Sequence, residues 1–181
     1  MKPILIGWVV FAMGLVSCTS LEPAVYQSET PRLSLENYFN GPLEAHGMLS
    51  DRSGKVTRRF VVKLVGRWQG EEGVLEEDFV WSDGEKQRRV WRLKRVGEGR
   101  YEGRADDVEG VAVGEVAGNA FRMKYVLQVP VGEGEKRKVY SINVDDWMYL
   151  IDERVMLNRS VMSKFGFRVG EVTLSFMKPS P

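Results

Sequence analysis

The segment VTRRFVVKLVGRW, residues 56–68, alternates apolar and polar side chains almost without interruption. Phe60, Val62 and Leu64 share one parity of the chain, while Lys63 falls on the other. Successive side chains of a strand point to opposite faces. A two-residue period of this length therefore predicts a half-buried β-strand whose apolar face meets a core.

The same alternation recurs in NAFRMKYVLQV, residues 119–129, and in EVTLSF, residues 171–176. Short strands separated by glycine-rich turns, with little helical periodicity, predict an all-β antiparallel fold. We expect about ten strands closed into a barrel, because closure removes the exposed edges of a sheet. One short helical turn is predicted near residues 35–39. The turn signals are Asp83-Gly84, residues 97–99, Gly118-Asn119 and residues 132–134.

The first residues have the features of a bacterial export signal. Lys2 precedes the apolar run ILIGWVVFAMGLV, residues 4–16. This run is too short to span a bilayer as a helix but suits a secretory signal peptide. Residues 15–18, LVSC, then resemble the lipobox of bacterial lipoproteins. We expect residues 1–17 to be a lipoprotein signal peptide and Cys18 to be the lipid attachment site; the alternative is an ordinary signal peptide beside an unmodified cysteine.

Lipidation would anchor the protein to a membrane. Thr19 follows the cysteine, where an aspartate would favour the inner membrane, so we expect the periplasmic face of a Gram-negative outer membrane. Residues 18–31 contain two prolines and many polar residues, which predicts a lipidated tether. Residues 32–181 suit a single barrel domain. Because Cys18 is the only cysteine, an intramolecular disulfide is excluded.

Composition and motifs argue against several classes of function. The formal net charge of +1 and the interspersed charges do not indicate a nucleic-acid partner. His46 is the only histidine and the sequence has no Cys/His cluster, so we expect no metal site. A Gly-x-Ser-x-Gly nucleophile motif is also missing, and we expect no cofactor. Enzymatic activity stays uncertain, with a non-catalytic function favoured.

Small residues bear on whether the barrel is hollow or filled. In EGVAVGEVAGNA, residues 109–120, one face carries Gly110, Ala112, Gly114 and Gly118. They either leave space inside the barrel or seat large aromatic side chains from facing strands. A barrel of about eight strands has room for packed side chains or for one small ligand. Both interpretations therefore stay open.

Three charged residues interrupt the apolar parity of the predicted strands. Glu77, Arg89 and Arg58 share the parity of their apolar neighbours, which predicts that they face inward. A three-residue hairpin loop at residues 83–85 would set Phe79 opposite Arg89 and make Glu77 a diagonal neighbour of Arg89, close enough to pair. Such a pair is either a structural ion pair or an anchor for a carboxylate or phosphate head group.

Three longer segments resemble the signature blocks of a family of bacterial lipoproteins known as domain of unknown function 3833. They are YFNGPLEAHGMLSDRSGKVTRRF, DDWMYLIDERVMLNRSVMSKFG and GEVTLSF, and the resemblance runs from about Leu35 to Phe176. His46 departs from the pattern, where we would expect an aromatic residue. The resemblance implies a lipocalin-like barrel. Family genes often lie beside genes for fatty-acid-modifying methyltransferases and flavin amine oxidases, which implies a role in membrane-lipid modification or transfer.

The second of these blocks carries a group of polar residues. Asp145, Asp146, Asn158 and Arg159 belong to it, and the resemblance makes them candidates for a shared network at one mouth of the barrel. From the residues alone, Asp145-Asp146 and Asp106-Asp107 abut predicted turns, where aspartate commonly bonds local backbone. Adjacent strand residues point to opposite faces, so neither pair is a natural catalytic dyad.

These inferences favour a membrane-anchored protein that binds a lipid or fatty-acid-like hydrophobic ligand. Arg58 and Arg89 would then meet an anionic head group beside apolar cavity walls. Two alternatives remain: an enzyme that acts on a lipid through Glu77 as general acid or base, and a structural envelope lipoprotein with a filled barrel. The candidate ligand-binding residues are Arg58, Glu77, Phe79, Trp81, Arg89, Trp91 and Phe121.

Overall fold

The alternating segment 56–68 lies within strand β2, Val56–Gln69. Its inward side chains Phe60, Val62 and Leu64 are buried, whereas Lys63 between them is exposed. The predicted half-buried strand is confirmed. Burial also alternates along most of the other strands, because each places every second side chain on the inner face.

The computed structural model describes residues 21–132 and 134–180, and for residue 135 the backbone alone. The predicted signal peptide and Cys18 lie outside the described residues. No helix within the described ranges is long and apolar enough to cross a membrane. The elements are a 3₁₀ turn Pro23–Tyr26, helix α1 Leu35–Tyr38, β1 Gly41–Asp51, β2 Val56–Gln69, β3 Glu72–Trp81, β4 Lys86–Gly97, β5 Arg100–Arg104, β6 Val108–Ala117, β7 Ala120–Val131, a second 3₁₀ turn Gly134–Lys136, β8 Lys138–Leu150, β9 Val155–Lys164 and β10 Phe167–Met177.

The strands form a closed antiparallel barrel in which each pairs with its neighbours in sequence. β1 completes the ring by pairing with β10, with Ala45 opposite Phe176 and Leu49 opposite Val172. Each of the ten described strands therefore pairs with two neighbours, although the first half of β4 extends beyond the short strand β5. The fold is therefore the predicted all-β, lipocalin-like barrel, and α1 is the predicted helical turn.

One end of the barrel is closed by α1 and the residues around it. Leu35 and Phe39 are buried, and the Phe39 ring packs edge-on against Phe176 at 5.4 Å between centroids. The Tyr38 hydroxyl donates to the Phe176 carbonyl at 3.2 Å and to the Arg154 carbonyl at 3.0 Å. Because these contacts tie the helix to the last strand and to the β8–β9 loop, this end holds a packed core.

The described part of the predicted tether, residues 21–31, packs on the outside of the barrel. Pro23 is fully buried, and the Tyr26 ring meets the Trp147 ring edge-on at 6.0 Å. Arg122 donates to the Leu21 carbonyl at 2.8 Å. This differs from a free tether, because Pro23 and Tyr26 supply apolar contacts that the polar composition of the segment conceals.

The predicted register between β3 and β4 is wrong by two residues. Glu77, and not Phe79, lies directly opposite Arg89. The hairpin loop is residues 82–84, closed by a hydrogen bond from the Trp81 amide to the Glu85 carbonyl at 2.9 Å. Gly84 has φ +88°, and the last position of a three-residue loop requires such a left-handed conformation. A two-residue slip preserves parity, so Glu77 and Arg89 still face inward.

Candidate functional site: a cavity at the open end of the barrel

The end of the barrel opposite α1 opens into a cavity of about 730 Å³. Hairpins between consecutive strands surround its mouth, and α1 lies beneath its floor through Leu35 and Phe39. The described part of the barrel is therefore hollow toward the mouth and packed toward α1. Other apolar residues of the wall are Leu49, Val62, Leu127, Val129, Ile142, Val144, Met148, Met162, Val169, Val172 and Leu174.

Aromatic side chains form one wall of the cavity. The Phe60 ring lies 4.8 Å from the Trp81 ring and 5.8 Å from the Phe79 ring, measured between centroids. Trp81 stacks on Phe79 at 6.1 Å. Trp91 also lines the cavity and meets the Tyr125 ring edge-on at 5.4 Å. These rings offer a flat apolar surface, on which aliphatic or aromatic ligand groups pack well.

Phe121, another predicted site residue, lines the deepest part of the cavity and is buried. It lies against Gly114, where an added Cβ would come within 2.5 Å of the Phe121 ring. Gly114 therefore seats an aromatic side chain, one of the two roles considered for the small residues of β6. The cavity extends beyond Phe121 toward the mouth, and residues of strands all around the barrel line it.

Arg89 forms an ion pair with Asp107 inside the barrel. Its guanidinium donates two hydrogen bonds to Asp107 Oδ2, from Nε at 2.9 Å and from Nη2 at 2.5 Å. Asp107 lies in the loop between β5 and β6, just before β6 begins at Val108. Because the loop brings this carboxylate over the cavity, Arg89 turns toward Asp107 although Glu77 is its partner in the strand register.

Glu77 is thereby left facing the cavity without a bonded partner among the described residues. Its side chain is buried, and burial raises the pKa of Glu77 from an ordinary 4.5 to about 7, against the opposing effect of the positive charge on Arg89. A carboxyl group in this state exchanges its proton near neutral pH. It is suited to donate or accept a hydrogen bond with a bound molecule.

A second buried carboxylate, Asp146, lies on β8 and also lines the cavity. Asn158 donates to Asp146 Oδ1, and the Ser160 hydroxyl donates to the same oxygen at 2.7 Å. Burial raises the pKa of Asp146, while these two hydrogen bonds oppose the rise. We call Glu77, Arg89, Asp107, Tyr125, Asp146, Asn158 and Ser160 the polar belt, since all of them face the interior between the apolar floor and the apolar walls of the mouth.

Arg58 lies at the rim of the cavity and is already neutralised. One of its Nη atoms lies 2.7 Å from Asp83 and 2.7 Å from Glu85, both in the β3–β4 hairpin. The guanidinium also stacks over the Trp81 ring at 4.0 Å. Arg58 and Arg89 therefore both have carboxylate partners within the protein, which makes them poorer receptors for an anionic head group than the sequence suggests.

The four residues considered as one network at the barrel mouth divide between the two faces of the sheet. Asp146 and Asn158 face inward, whereas Asp145 and Arg159 face outward. Arg122 binds Asp145 at 2.7 Å, and Arg159 binds Glu171 at 2.7 Å. The single-network hypothesis is wrong because adjacent strand residues point to opposite faces.

Three residues of the polar belt, Asp107, Tyr125 and Ser160, are not among the residues that the sequence predicts for the site. The sequence predicts that Asp107 bonds local backbone in a turn. No periodicity or motif indicates that the β5–β6 loop brings it to Arg89. Tyr125 and Ser160 had a detectable signal, because they share inward parity with Phe121 and Asn158. Within residues 21–132 and 134–180, no group of three or more His, Cys, Asp or Glu side chains is arranged to hold a metal ion.

One of two similar solved structures supports the fold assignment. The structure of the S-type phycobiliprotein lyase CPES from Guillardia theta matches with a TM-score of 0.57 and 10% identity, over 83% of this chain and 96% of that one. The structure of EF1p2_mFAP2b bound to DFHBI matches with a TM-score of 0.42 and 7% identity, over 81% of this chain and 100% of that one. At such low identity the first likeness shows a shared fold alone. A comparison with curated proteins found no match.

The family comparison covers most of the chain. The model described as "Protein of unknown function (DUF3833)" matches residues 12–178, which include every described strand. This confirms the family resemblance seen in the three sequence blocks. The chain therefore belongs to the DUF3833 family.

Proposed function

We propose that the protein binds a single amphipathic molecule of the lipid type inside the barrel, without altering it. The observation that carries this proposal is a cavity of about 730 Å³ with apolar walls and a buried polar belt. Ligand sites of proteins commonly have volumes of about 300–1,000 Å³, mostly apolar linings and a few placed polar groups. Burial of apolar ligand surface would contribute about 25 cal/mol per Å².

The charge balance of the belt indicates which polar group the ligand carries. Glu77, Asp107 and Asp146 supply three acidic groups, and Arg89 supplies the one cation of the belt, bonded to Asp107. An anionic head group would face Glu77 and Asp146 at close range, and this repulsion is costly in a buried site. We therefore favour a ligand whose inner polar group is uncharged or cationic and donates a hydrogen bond to Glu77, with its apolar part against Phe79 and Trp81.

The proposal includes anchoring through Cys18, on the periplasmic face of the outer membrane. It rests on the lipobox-like residues 15–18 and on the apolar run before them. Leu21 is held on β7 by Arg122, so a lipid on Cys18 would keep the barrel close to the membrane. Cys18→Ser should abolish palmitate labelling and release the protein from the membrane fraction; retention there by a wild-type protein that takes up no palmitate would contradict anchoring.

Occupancy of the cavity is tested with a blocking variant. Leu127 lines the cavity, so Leu127→Trp should fill it, whereas Val113→Trp places the same ring on an exposed outer position. The full chain and both variants are purified gently from membranes, and their bound lipids are extracted and measured by mass spectrometry. We expect a defined lipid at near-stoichiometric amount in the wild type and in Val113→Trp, and its loss in Leu127→Trp.

Equal lipid content in the two tryptophan variants would contradict binding inside the barrel. A wild type that carries no lipid and takes none up from added vesicles would also contradict it, in favour of a structural envelope protein. Unfolding midpoints in urea show whether Leu127→Trp remains folded, which keeps loss of the cavity distinct from loss of the fold.

A second candidate function, a lipid-acting enzyme, is favoured by one observation. Glu77 faces the cavity unpartnered among the described residues, with its pKa raised to about 7, as suits a general acid or base at neutral pH. The test incubates the full chain with a total lipid extract and searches for chemically changed lipids. Products formed by the wild type and not by Glu77→Gln would support the enzyme; unchanged lipids that remain bound to both would support the carrier.

A further inference from the structure

The hairpin between β9 and β10 presents two aromatic side chains to solvent beside the cavity mouth. Phe165 is 85% exposed and Phe167 is 76% exposed. The two-residue loop Phe165–Gly166 has positive φ at both positions, 51° and 81°, which is the pattern of a type I′ turn. Phenylalanine therefore occupies a place where the backbone favours asparagine, aspartate or glycine.

Phe165 is unfavourable for the stability of the fold for two reasons. A bulky residue with positive φ is sterically disfavoured, and a large apolar side chain in water gains nothing from burial. Packing within the barrel does not offset either cost, since most of the ring faces solvent. Strain of this kind in a native structure points to a function of the strained residue.

The surroundings of Phe165 combine apolar and cationic groups. Lys164 lies across the tip, with Nζ 4.9 Å from the Tyr140 ring and 5.1 Å from the Phe165 ring. On the neighbouring β7–β8 hairpin, Val131 and Val139 are more than half exposed. The two hairpins thus present one continuous surface, which we call the mouth apron: residues 131, 136–140 and 164–168.

Charge distinguishes the mouth apron from an ordinary apolar patch. Residues 131–140 and 164–168 together carry five cationic and two anionic residues. Lys136, Arg137 and Lys138 form no ion pair with any described residue, whereas Arg58 on the same rim has two acidic partners. Exposed aromatic rings flanked by free cations are the composition of surfaces that lie in the headgroup region of anionic membranes.

The apron is also continuous with the interior of the barrel. Ile142, Met162 and Val169 line the cavity, and each lies two residues from an apron residue in its own strand. Arg137 of the apron borders the same cavity. An apolar path therefore runs from the exposed rings over the rim to the cavity walls.

We propose that the mouth apron docks the barrel onto an anionic lipid bilayer, with Phe165 and Phe167 inserted among the headgroups and the neighbouring cations on lipid phosphates. Docking in this orientation turns the cavity mouth toward the bilayer, so that an apolar molecule passes between them without crossing water. The docking itself does not depend on which molecule the cavity binds, and it is measurable with an empty barrel.

Position-resolved quenching tests the orientation. Phe167→Trp places a reporter in the apron, and Val74→Trp places a matched reporter at an exposed position near the closed end of β3. Both are made in the expected mature chain, residues 18–181, with Cys18→Ser, because the apolar run at residues 4–16 or a lipid on Cys18 would bind vesicles in any orientation. Each protein is mixed with vesicles of phosphatidylglycerol and phosphatidylcholine whose acyl chains carry bromine.

After subtraction of the signal of the Cys18→Ser parent, whose own tryptophans also fluoresce, we expect bromine to quench the reporter at position 167 and to leave the reporter at position 74 near its value without bromine. Vesicles of phosphatidylcholine alone should give much less quenching at position 167. Adding Phe165→Asn should weaken the vesicle affinity of the apron reporter about tenfold or more, because it removes one buried ring. Asparagine is favoured at positive φ, so this variant should unfold at an unchanged or higher urea midpoint.

Equal quenching at the two positions, or stronger quenching at position 74, would overturn the proposal, since the apron would then not face the bilayer. Quenching at position 167 that ignores both Phe165→Asn and the anionic lipid would overturn it as well.

Discussion

The two ends of the barrel are built from the same ten strands with the same inward alternation, yet one end is packed and the other hollow. At the closed end, α1 brings Phe39 against Phe176 and ties Tyr38 to the strand carbonyls. At the open end, Phe60, Phe79 and Trp81 pack only along their own wall and face the cavity. Alternation alone therefore produces an inner face, and a covering element decides whether that face becomes core.

The polar belt lies at the boundary between these two ends. Its buried carboxyl groups, Glu77 and Asp146, have raised pKa values because burial removes them from water, and the nearby positive charge of Arg89 offsets only part of this effect. In the packed end, such groups would destabilise the fold, because no ligand could reach them to form a compensating hydrogen bond. Next to a cavity, a bound molecule can satisfy them, which connects the cost of the belt with the proposed binding function.

The largest expected contrast is between two phenylalanines. Phe39→Ala should cost about 3–5 kcal/mol of unfolding free energy, because it opens a void in the closed end. Phe79→Ala should cost about 1–2 kcal/mol, because its ring borders space that is already empty. Urea denaturation of both variants, compared at unchanged m-values, measures the difference. Equal losses would show that the two ends are packed alike.

The next contrast uses the pH dependence of Glu77. Its folded pKa of about 7 exceeds its ordinary 4.5, so the folded state binds the proton more tightly than the unfolded state. The stabilisation is complete at low pH and is lost as the pH rises through 7. Glu77→Gln has no such loss, and should gain up to about 3 kcal/mol relative to wild type between pH 4.5 and 8.

Paired denaturation curves of wild type and Glu77→Gln at several pH values measure this shift. The raised pKa of Asp146 acts in the same direction in both proteins and largely cancels in the comparison. A constant difference across this pH range would mean that Glu77 is solvated as in an unfolded chain.

A third, smaller effect concerns the ion pair inside the belt. A double-mutant cycle of Arg89→Met and Asp107→Asn should give a coupling free energy of about 1–3 kcal/mol. Because the structure pairs Arg89 with Asp107, the coupling free energy between Arg89 and Glu77 should be smaller. The matched cycle of Arg89→Met with Glu77→Gln measures it. Stronger coupling to Glu77 than to Asp107 would restore the pair that the sequence suggested.

The smallest effect is expected for the outer pair Arg159–Glu171, which has a similarly short contact of 2.7 Å but an arginine that is 59% exposed. Its coupling free energy should be about 0.2–1 kcal/mol and should fall with added salt. The cycle Arg159→Met with Glu171→Gln measures it under the conditions used for the inner pair. A coupling as large as that of Arg89–Asp107 would remove the distinction between the inner and outer faces.

The sequence was sufficient for the features that depend on parity. The strand at residues 56–68, the inward direction of Glu77 and Arg89, and the helical turn at Leu35 all follow from local pattern. The β3–β4 register needed the position of a left-handed glycine, Gly84, within its loop, and apolar alternation does not distinguish registers two residues apart.

Contacts between residues far apart in the sequence could not be predicted from local sequence patterns. The bond between Arg89 and Asp107 depends on how the β5–β6 loop crosses the cavity, and the burial of Arg122 depends on residues 21–22 returning to the barrel wall. Neither contact follows from a propensity or a period, since both are set by loop paths through space.

The central claim is that the open half of the barrel holds a hydrophobic molecule with its polar group at Glu77. A crystal structure of the complex with a brominated long-chain alcohol tests this directly, because bromine is located by its anomalous scattering. We expect a bromine peak within the cavity, beside Phe79 and Trp81 or at the mouth, and a hydroxyl group within hydrogen-bonding distance of Glu77. Bromine found on the outer surface alone, with the cavity filled by water, would contradict it.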